Sequence, residues 1–387
     1  MQNKGLKIAY ITALDPKDKN AWSGTHNRIS QTLQKCCGDL FYIGPLETRL
    51  KHIPVIINHI TTRLLGKNYN TSHNYILSKA YAKQINKKLK ENKYDIIFAP
   101  AASIEIANLK VDIPIVYLSD STFSLFVGYK KYCSNLLDKS IKESNNIEKS
   151  AINKADLLIY ASKWAADSAI NDYGADKSKV FVVPFGANLD KIPDKNLVLQ
   201  RRKSEKCRLL FLAARWEYKG GDIAFDTLLE LEKLGIDAEL IICGAIPPEE
   251  YKHKNMTVIP FLDKNDEKQY KELEKLFLES DFLILPTQEE AFGIVFCEAS
   301  AFGLPSIATD TGGVSGVIKN GKNGFMLPLE AKGADYAKLI KEIYLDDERY
   351  YNLVKSSRKC FEEKLNWDKW GKTVCKLIND TVDKKNS

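Results

Sequence analysis

Short apolar runs rich in β-branched residues alternate, almost end to end, with longer stretches whose apolar residues recur at helical spacing. That alternation constrains the fold most, because strands joined through helices pair in parallel and need helices on both faces of the sheet. The runs over 7–13, 95–98, 113–118, 157–160 and 180–183 read as buried strands, with amphipathic stretches 28–36, 78–92 and 146–154 between them. Residues 188–206 are polar, carry Asp190-Lys191-Ile192-Pro193-Asp194-Lys195 and Arg201-Arg202-Lys203, and read as a linker. A second series follows, with strands over 209–213, 238–243, 258–259, 282–285 and 306–308 and helices over 223–234, 267–278 and 294–301. The pattern predicts an α/β chain of two doubly wound domains, residues 1–187 and 207–365, on either side of the linker. Ligands of such sheets sit beyond the carboxyl ends of the strands, so a cleft between the two domains is the expected site.

Composition narrows the function classes. A chain of 387 residues with 44% hydrophobic residues can build two cores and is not a disordered chain. Its 57 Lys+Arg against 50 Asp+Glu leave a net charge of +7, too dispersed for a nucleic-acid binder. The same Lys-rich surface suits peripheral contact with an anionic membrane. Residues 1–10 run straight into a strand-like segment with no signal-peptide core, and no apolar run is long enough to span a bilayer. The 8 cysteines lack any CxxC or zinc spacing, and several lie in apolar runs, so thiols in a reducing cytoplasm are expected. His26, His52, His59, His73 and His253 show no metal-ligand spacing.

The segment with the most chemistry is Pro286-Thr287-Gln288-Glu289-Glu290-Ala291-Phe292-Gly293-Ile294-Val295-Phe296-Cys297-Glu298-Ala299-Ser300, which leaves a strand and opens a helix. Free backbone N–H groups of Phe292, Gly293, Ile294 and Val295 would form an anion site there, with Gly293 admitting a close approach. Two carboxylates flank it, Glu290 in the loop and Glu298 in an otherwise apolar helix. Beside a phosphate a carboxylate is repulsive, so both are better read as acceptors for neutral hydroxyls. A sugar and a ribose at the two ends of a diphosphate would supply them.

The Glu290-x7-Glu298 spacing, with Phe292-Gly293 inside it and Ala299-x-Ala301-x-Gly303-x-Pro305 after it, resembles the donor-site signature of the retaining glycosyltransferases of family 4. Asp310-Thr311-Gly312-Gly313-Val314 and Asn320-Gly321-Lys322-Asn323-Gly324-Phe325 resemble that family's glycine-rich stretch. The resemblance covers most of the chain and implies a GT-B fold of two facing Rossmann-like domains, with residues 366–387 as a helix closing back onto the first. It also implies transfer of a hexose from a GDP- or UDP-linked donor with retention, the leaving phosphate oxygen taking the acceptor proton. The acceptor would be a glycan or lipid-linked glycan of cell-surface polysaccharide or lipopolysaccharide synthesis, reached in the cytoplasm or at the inner face of the membrane.

Several roles follow from the same resemblance. Arg215 and Lys219, in Arg215-Trp216-Glu217-Tyr218-Lys219-Gly220-Gly221, would neutralise the diphosphate. With no Asp-x-Asp motif in the chain, no metal and no other cofactor is expected. Gly24 and Thr25, where the family more often has Gly-Gly, would meet the distal phosphate through backbone N–H groups. His26 beside them either enters the site or points into solvent. Asp120 stands in Ser119-Asp120, where relatives carry His-Asp, and would touch the sugar, the acceptor or neither. Phe261, in Pro260-Phe261-Leu262, follows a strand where relatives hold the nucleobase. Two rival readings remain: a nucleotide-sugar epimerase on the same fold, and a non-catalytic nucleotide-sugar-binding protein that the set Lys219, Glu290 and Glu298 disfavours.

Overall fold

A computed structural model, which describes residues 5–386, contains two six-stranded sheets in which every pairing is parallel. Residues 1–4 and 387, which open the stretch read for a targeting segment and close the Lys-rich tail, lie outside the described residues. The first sheet is built from β1 (Leu6–Tyr10), β2 (Gly38–Tyr42), β3 (Ile96–Pro100), β4 (Ile115–Ser119), β5 (Leu157–Tyr160) and β6 (Val180–Val182), in the order β2-β1-β3-β4-β5-β6. The second is built from β7 (Cys207–Ala213), β8 (Ala238–Gly244), β9 (Met256–Ile259), β10 (Phe282–Leu285), β11 (Ser306–Thr309) and β12 (Gly324–Leu327), in the order β12-β11-β10-β7-β8-β9.

Both orders are doubly wound. Each sheet grows to one side of its first strand, then restarts on the other side, which leaves a crevice where neighbouring loops diverge. In the first sheet that switch lies between β1 and β3; in the second it lies between β7 and β10. Central strands are buried on both faces: every residue of β3, β4, β5, β10 and β11 is buried. That burial is why they read as continuous apolar runs.

Two edge strands escape the sequence pattern for the opposite reason. β2 is only part-buried and carries Asp39, and β12 follows an Asn-Gly turn with three of its four residues part-exposed. The helix His52–Leu65 also lies outside that pattern, because its β-branched run has a weak helix preference and Pro54 suggests a break. Pro54 is tolerated because it lies in the first turn, where its missing N–H has no partner to lose.

One compact unit takes the chain up to Val183 and again from Trp370; the other is Pro184–Lys369. The stretch 188–206, expected to be a linker, instead belongs to the second unit and folds partly into the helix Lys195–Leu199, with Val198 fully buried. Its basic residues are not a solvated run. Arg201 donates from Nη1 to Phe302 O (3.1 Å) and from Nη2 to Leu278 O (3.0 Å), capping carbonyls at two helix ends.

The cysteines require a correction as well. Cys36 and Cys375, 339 residues apart, are joined as a disulfide where thiols were expected. The last helix, Trp367–Asn386, brings Gly371 against the side chains of Thr32 and Cys36, a proximity that spacing along the chain does not announce. The other six cysteines remain thiols, five of them buried. Among the described residues, no helix is long and apolar enough to cross a membrane.

Candidate functional site

The switch point of the second sheet gathers most of the residues singled out from the sequence. After β7 the chain makes a tight turn over Glu217–Lys219 and enters the helix Gly221–Lys233 through Gly220 at φ +73°. A Cβ on Gly220 would stand 2.0 Å from the carbonyl oxygen of Pro286, so only glycine lets this turn meet the loop after β10. The two loops are then tied by backbone: Gln288 N donates to Tyr218 O at 3.0 Å. Beneath them Trp216 is buried against Phe211 and Tyr251, with ring centroids 5.6 and 5.1 Å away.

Across that junction Lys219 Nζ donates to Glu290 Oε2 at 2.7 Å and to Glu289 O at 2.9 Å. Glu290 is held from other directions too. Its Oε1 accepts from Ala291 N (3.1 Å), and its carbonyl accepts from Gly313 N (3.1 Å) in the glycine-rich loop after β11. Three loops therefore converge on one residue, Glu290, and both members of the Lys219–Glu290 pair keep partial solvent access. Arg215 lies on the same loop as Lys219 and is exposed.

The helix Ile294–Ala301 starts at Gly293, φ +92°, where a Cβ would press 2.5 Å from the Phe296 ring. The Phe292 side chain is buried and meets Phe185 edge-on at 5.1 Å, so only its backbone can serve a ligand. Ile294 and Val295 are half-buried at the helix start. Glu298, one turn further on, is 2% exposed and pairs with Lys264 Nζ at 2.5 Å. A buried carboxylate in an apolar helix needs such a partner, since an unpaired buried charge costs several kcal/mol.

Lys264 is the residue that sequence reasoning missed. It lies just beyond Phe261 on the loop after β9, and nothing in its local sequence distinguishes it from any surface lysine. Only the fold, by placing that loop beside Glu298, gives it a role. Phe261 itself is 58% exposed.

The first sheet's switch point is built differently. Between β1 and the helix Thr25–Cys36, three consecutive residues hold left-handed backbone: Trp22 (φ 49°), Ser23 (φ 54°) and Gly24 (φ 85°). Two of these are not glycine, and such conformations persist only where surroundings enforce them. One enforcing contact is Trp22 Nε1, which donates to Asp120 Oδ2 at 3.2 Å. The structure thus ties Asp120 to Trp22, two residues before Gly24.

His26 does not point into solvent. It is 2% exposed, its Nδ1 lies 3.1 Å from the Tyr10 hydroxyl, and burial lowers its pKa to about 4. Glu105, after β3, accepts from Ala13 N (3.1 Å) through Oε1, and burial pushes its carboxyl up to about 7. Deeper in the same unit Glu148 accepts from the Tyr117 hydroxyl (2.9 Å) and is likewise raised to about 7 by burial. Among the described residues, the one group of three potential metal ligands is Cys36, Cys37 and Cys375, of which Cys36 and Cys375 are joined as the disulfide.

Two family models match the chain, one in each half. The family model for glycosyl transferases group 1 matches residues 198–360, and that for glycosyltransferase family 4 matches residues 44–191. A D-inositol 3-phosphate glycosyltransferase of Paenarthrobacter aurescens is 25% identical over 221 residues, 51% of this chain and 51% of that protein. The chain thus spans about half the length of such curated relatives. Among solved structures, Anabaena Alr3699/HepE in complex with UDP-glucose superposes with a TM-score of 0.64 at 14% identity, covering 97% of this chain and 100% of that one. WaaG, a glycosyltransferase involved in lipopolysaccharide biosynthesis, superposes with a TM-score of 0.63 at 14% identity, covering 96% and 99%.

Proposed function

The chain belongs to the group 1 and family 4 glycosyltransferases of the GT-B fold, and on that premise we propose that it moves a hexose from a GDP- or UDP-linked donor to a glycan or lipid-linked glycan. The acceptor would belong to cell-surface polysaccharide or lipopolysaccharide synthesis and be met at the inner face of a membrane.

The observation that carries this reading is the pairing of Lys219 with Glu290 at the β7/β10 switch point, with Glu298 one helical turn beyond the helix start. A diphosphate laid over the start of the helix Ile294–Ala301 would meet its free N–H groups, with Lys219 and Arg215 to its side. As the glycosidic bond breaks, negative charge grows on the leaving phosphate. Lys219 can swing from Glu290 towards it, and Arg215 adds a planar fork of donors. Glu290, released from the lysine, would accept from hexose hydroxyls, and Glu298 from the ribose. Phe261 offers an apolar face to the base.

In this reading the acceptor hydroxyl attacks from the face the diphosphate leaves, so the anomeric configuration is retained. Its proton passes to the leaving phosphate oxygen, and no enzyme nucleophile is needed. Charge neutralisation by Lys219, Arg215 and the helix start makes a metal unnecessary. In the first unit, Gly24 and Thr25 would offer backbone N–H groups to the distal phosphate, with Asp120 beside them.

Melting-temperature shifts with UDP, GDP, ADP and CDP in the presence of a chelator test the donor site. One or two of these should raise the melting temperature, and turnover with the matching nucleotide sugar should survive the chelator. A donor converted to another nucleotide sugar without any acceptor present would favour the epimerase. Activity lost with the chelator and restored by manganese would remove the metal-independent mechanism.

A further inference from the structure

The largest gathering of exposed apolar side chains in the first unit sits on one short helix, His52–Leu65. Ile53, Val55, Ile56, Ile60, Leu64 and Leu65 are all exposed there, Leu64 by 74%. Ile53, Ile56, Ile60 and Leu64 recur at three- and four-residue steps, so they form a single stripe. The helix is held by a neighbouring face. Pro54 is buried, Asn58 Oδ1 accepts from Tyr69 N (2.8 Å), and Thr62 Oγ1 donates to Asn68 Oδ1 (3.1 Å). Pro54, Ile57, Asn58 and Thr61 are the buried or part-buried residues of the helix, so the exposed stripe lies beside the face that packs on the unit and is left uncovered. A helix docked on a water-facing unit ordinarily turns that stripe inwards.

Charge says what covers it. Residues 49–67 hold Arg49, Lys51, Arg63 and Lys67 and no aspartate or glutamate. Lys67 is paired with Asp138 at 3.3 Å, whereas Arg49, Lys51 and Arg63 flank the stripe exposed. Two copies of this face would set cations against cations, while an anionic lipid surface complements both the apolar stripe and its charge. At 14 residues the helix is about 21 Å long, too short for the roughly 30 Å hydrocarbon layer, so it suits lying in the plane of the interface.

We propose that the helix His52–Leu65 is a membrane-interface element. Its stripe of Ile53, Ile56, Ile60 and Leu64 enters the headgroup boundary of an anionic bilayer, and Arg49, Lys51 and Arg63 pair with lipid phosphates. The inference rests on and deepens the reading that the acceptor is met at a membrane, and it stands apart from the donor site.

The test is co-sedimentation of the full chain with vesicles of phosphatidylglycerol and phosphatidylethanolamine, and with phosphatidylcholine alone. Binding should be at least about tenfold tighter on the anionic vesicles. The double substitution Ile60→Asp with Leu64→Asp should weaken it about 10- to 100-fold, and Arg49→Gln, Lys51→Gln and Arg63→Gln together by a similar factor. A tryptophan introduced by Ile56→Trp should shift its emission to the blue on vesicle addition. All variants should keep the parent's far-ultraviolet circular dichroism and melting temperature, which excludes misfolding. Vesicle binding untouched by the Ile60/Leu64 pair, or absent in the parent, would overturn the proposal. So would a lipid-free dimer that this pair of substitutions dissolves.

Discussion

The two switch points are the same topological feature built with opposite electrostatics. At the second sheet the ionisable groups come in pairs across loops, Lys219 with Glu290 and Lys264 with Glu298. In the first unit His26 and Glu105 are buried away from water instead. Burial drives His26 to about 4 and Glu105 to about 7, each towards its uncharged form. A crevice of exchangeable ion pairs can release charged groups to a charged ligand; in the proposed reaction the diphosphate would take Lys219 from Glu290. Desolvated groups pushed towards their uncharged forms cannot do so cheaply, and suit hydroxyls or structure. The contrast places the charge-handling work of the proposed reaction in the second sheet.

The comparison breaks most visibly at the glycine that joins the β7 and β10 loops. Gly220→Ala puts a Cβ against the Pro286 carbonyl in left-handed backbone, and should destabilise the second unit by about 3 kcal/mol or more. Denaturant unfolding followed by tryptophan fluorescence measures it.

The next largest effect belongs to the exchangeable pair. Lys219→Ala removes the cation that Glu290 now holds at 2.7 Å, and turnover should fall about 10- to 150-fold. Steady-state kinetics with the donor identified by thermal shift would show it, and Lys219→Arg should recover part of the loss. Unchanged turnover would mean the pair is only structural.

In the first unit the sharpening experiment is a pH profile. His73 Nε2 lies 3.6 Å from Glu148 Oε2, yet burial holds both groups towards neutrality. His73, lowered to about 4, is neutral in the fold while the unfolded chain takes a proton below its ordinary 6.5. Its contribution is therefore lost as pH falls through that window. Glu148, raised from 4.5 to about 7, works in reverse: its contribution is full below 4.5 and is lost as pH rises through 7. Glu148→Gln keeps an acceptor for the Tyr117 hydroxyl and removes only the second slope. At pH 8 it should be more stable than the parent by on the order of 1–3 kcal/mol. Urea midpoints at pH 5 and 8 decide it; a variant less stable at pH 8 would show that the carboxylate forms a true ion pair with His73.

The smallest effect is a control. Gly128 has φ +74°, but a methyl group there would find nothing within 4 Å, so Gly128→Ala should cost only about 1 kcal/mol. A loss as large as that at Gly220 would mean that left-handed backbone alone, and not the close approach to Pro286, sets both costs.

Much of this arrangement is legible in the residues. Parallel strands buried on both faces announce themselves as apolar runs, and the Glu290–Glu298 spacing with its strand-to-helix setting points to the crevice that the structure builds. Edge strands such as β2 do not, because partial exposure dilutes the pattern that marks a strand. Contacts set by tertiary approach are also out of reach. Lys264 at Glu298, Trp22 at Asp120 and Cys36 at Cys375 are separated by 34, 98 and 339 residues, and no local rule links them. The charge run at 188–206 misleads for a related reason: arginines that cap buried carbonyls look in sequence like arginines in a linker.

In the proposed reaction the second sheet's crevice divides its ligand, with nucleoside at Glu298 and hexose at Glu290. Calorimetric titration of Glu298→Ala and Glu290→Ala with the preferred nucleoside diphosphate, which lacks the sugar, tests it most directly. Glu298→Ala should bind about 10- to 150-fold more weakly, and Glu290→Ala should change by less than about threefold, its defect appearing only in turnover. Nucleotide binding abolished by Glu290→Ala and untouched by Glu298→Ala would contradict it.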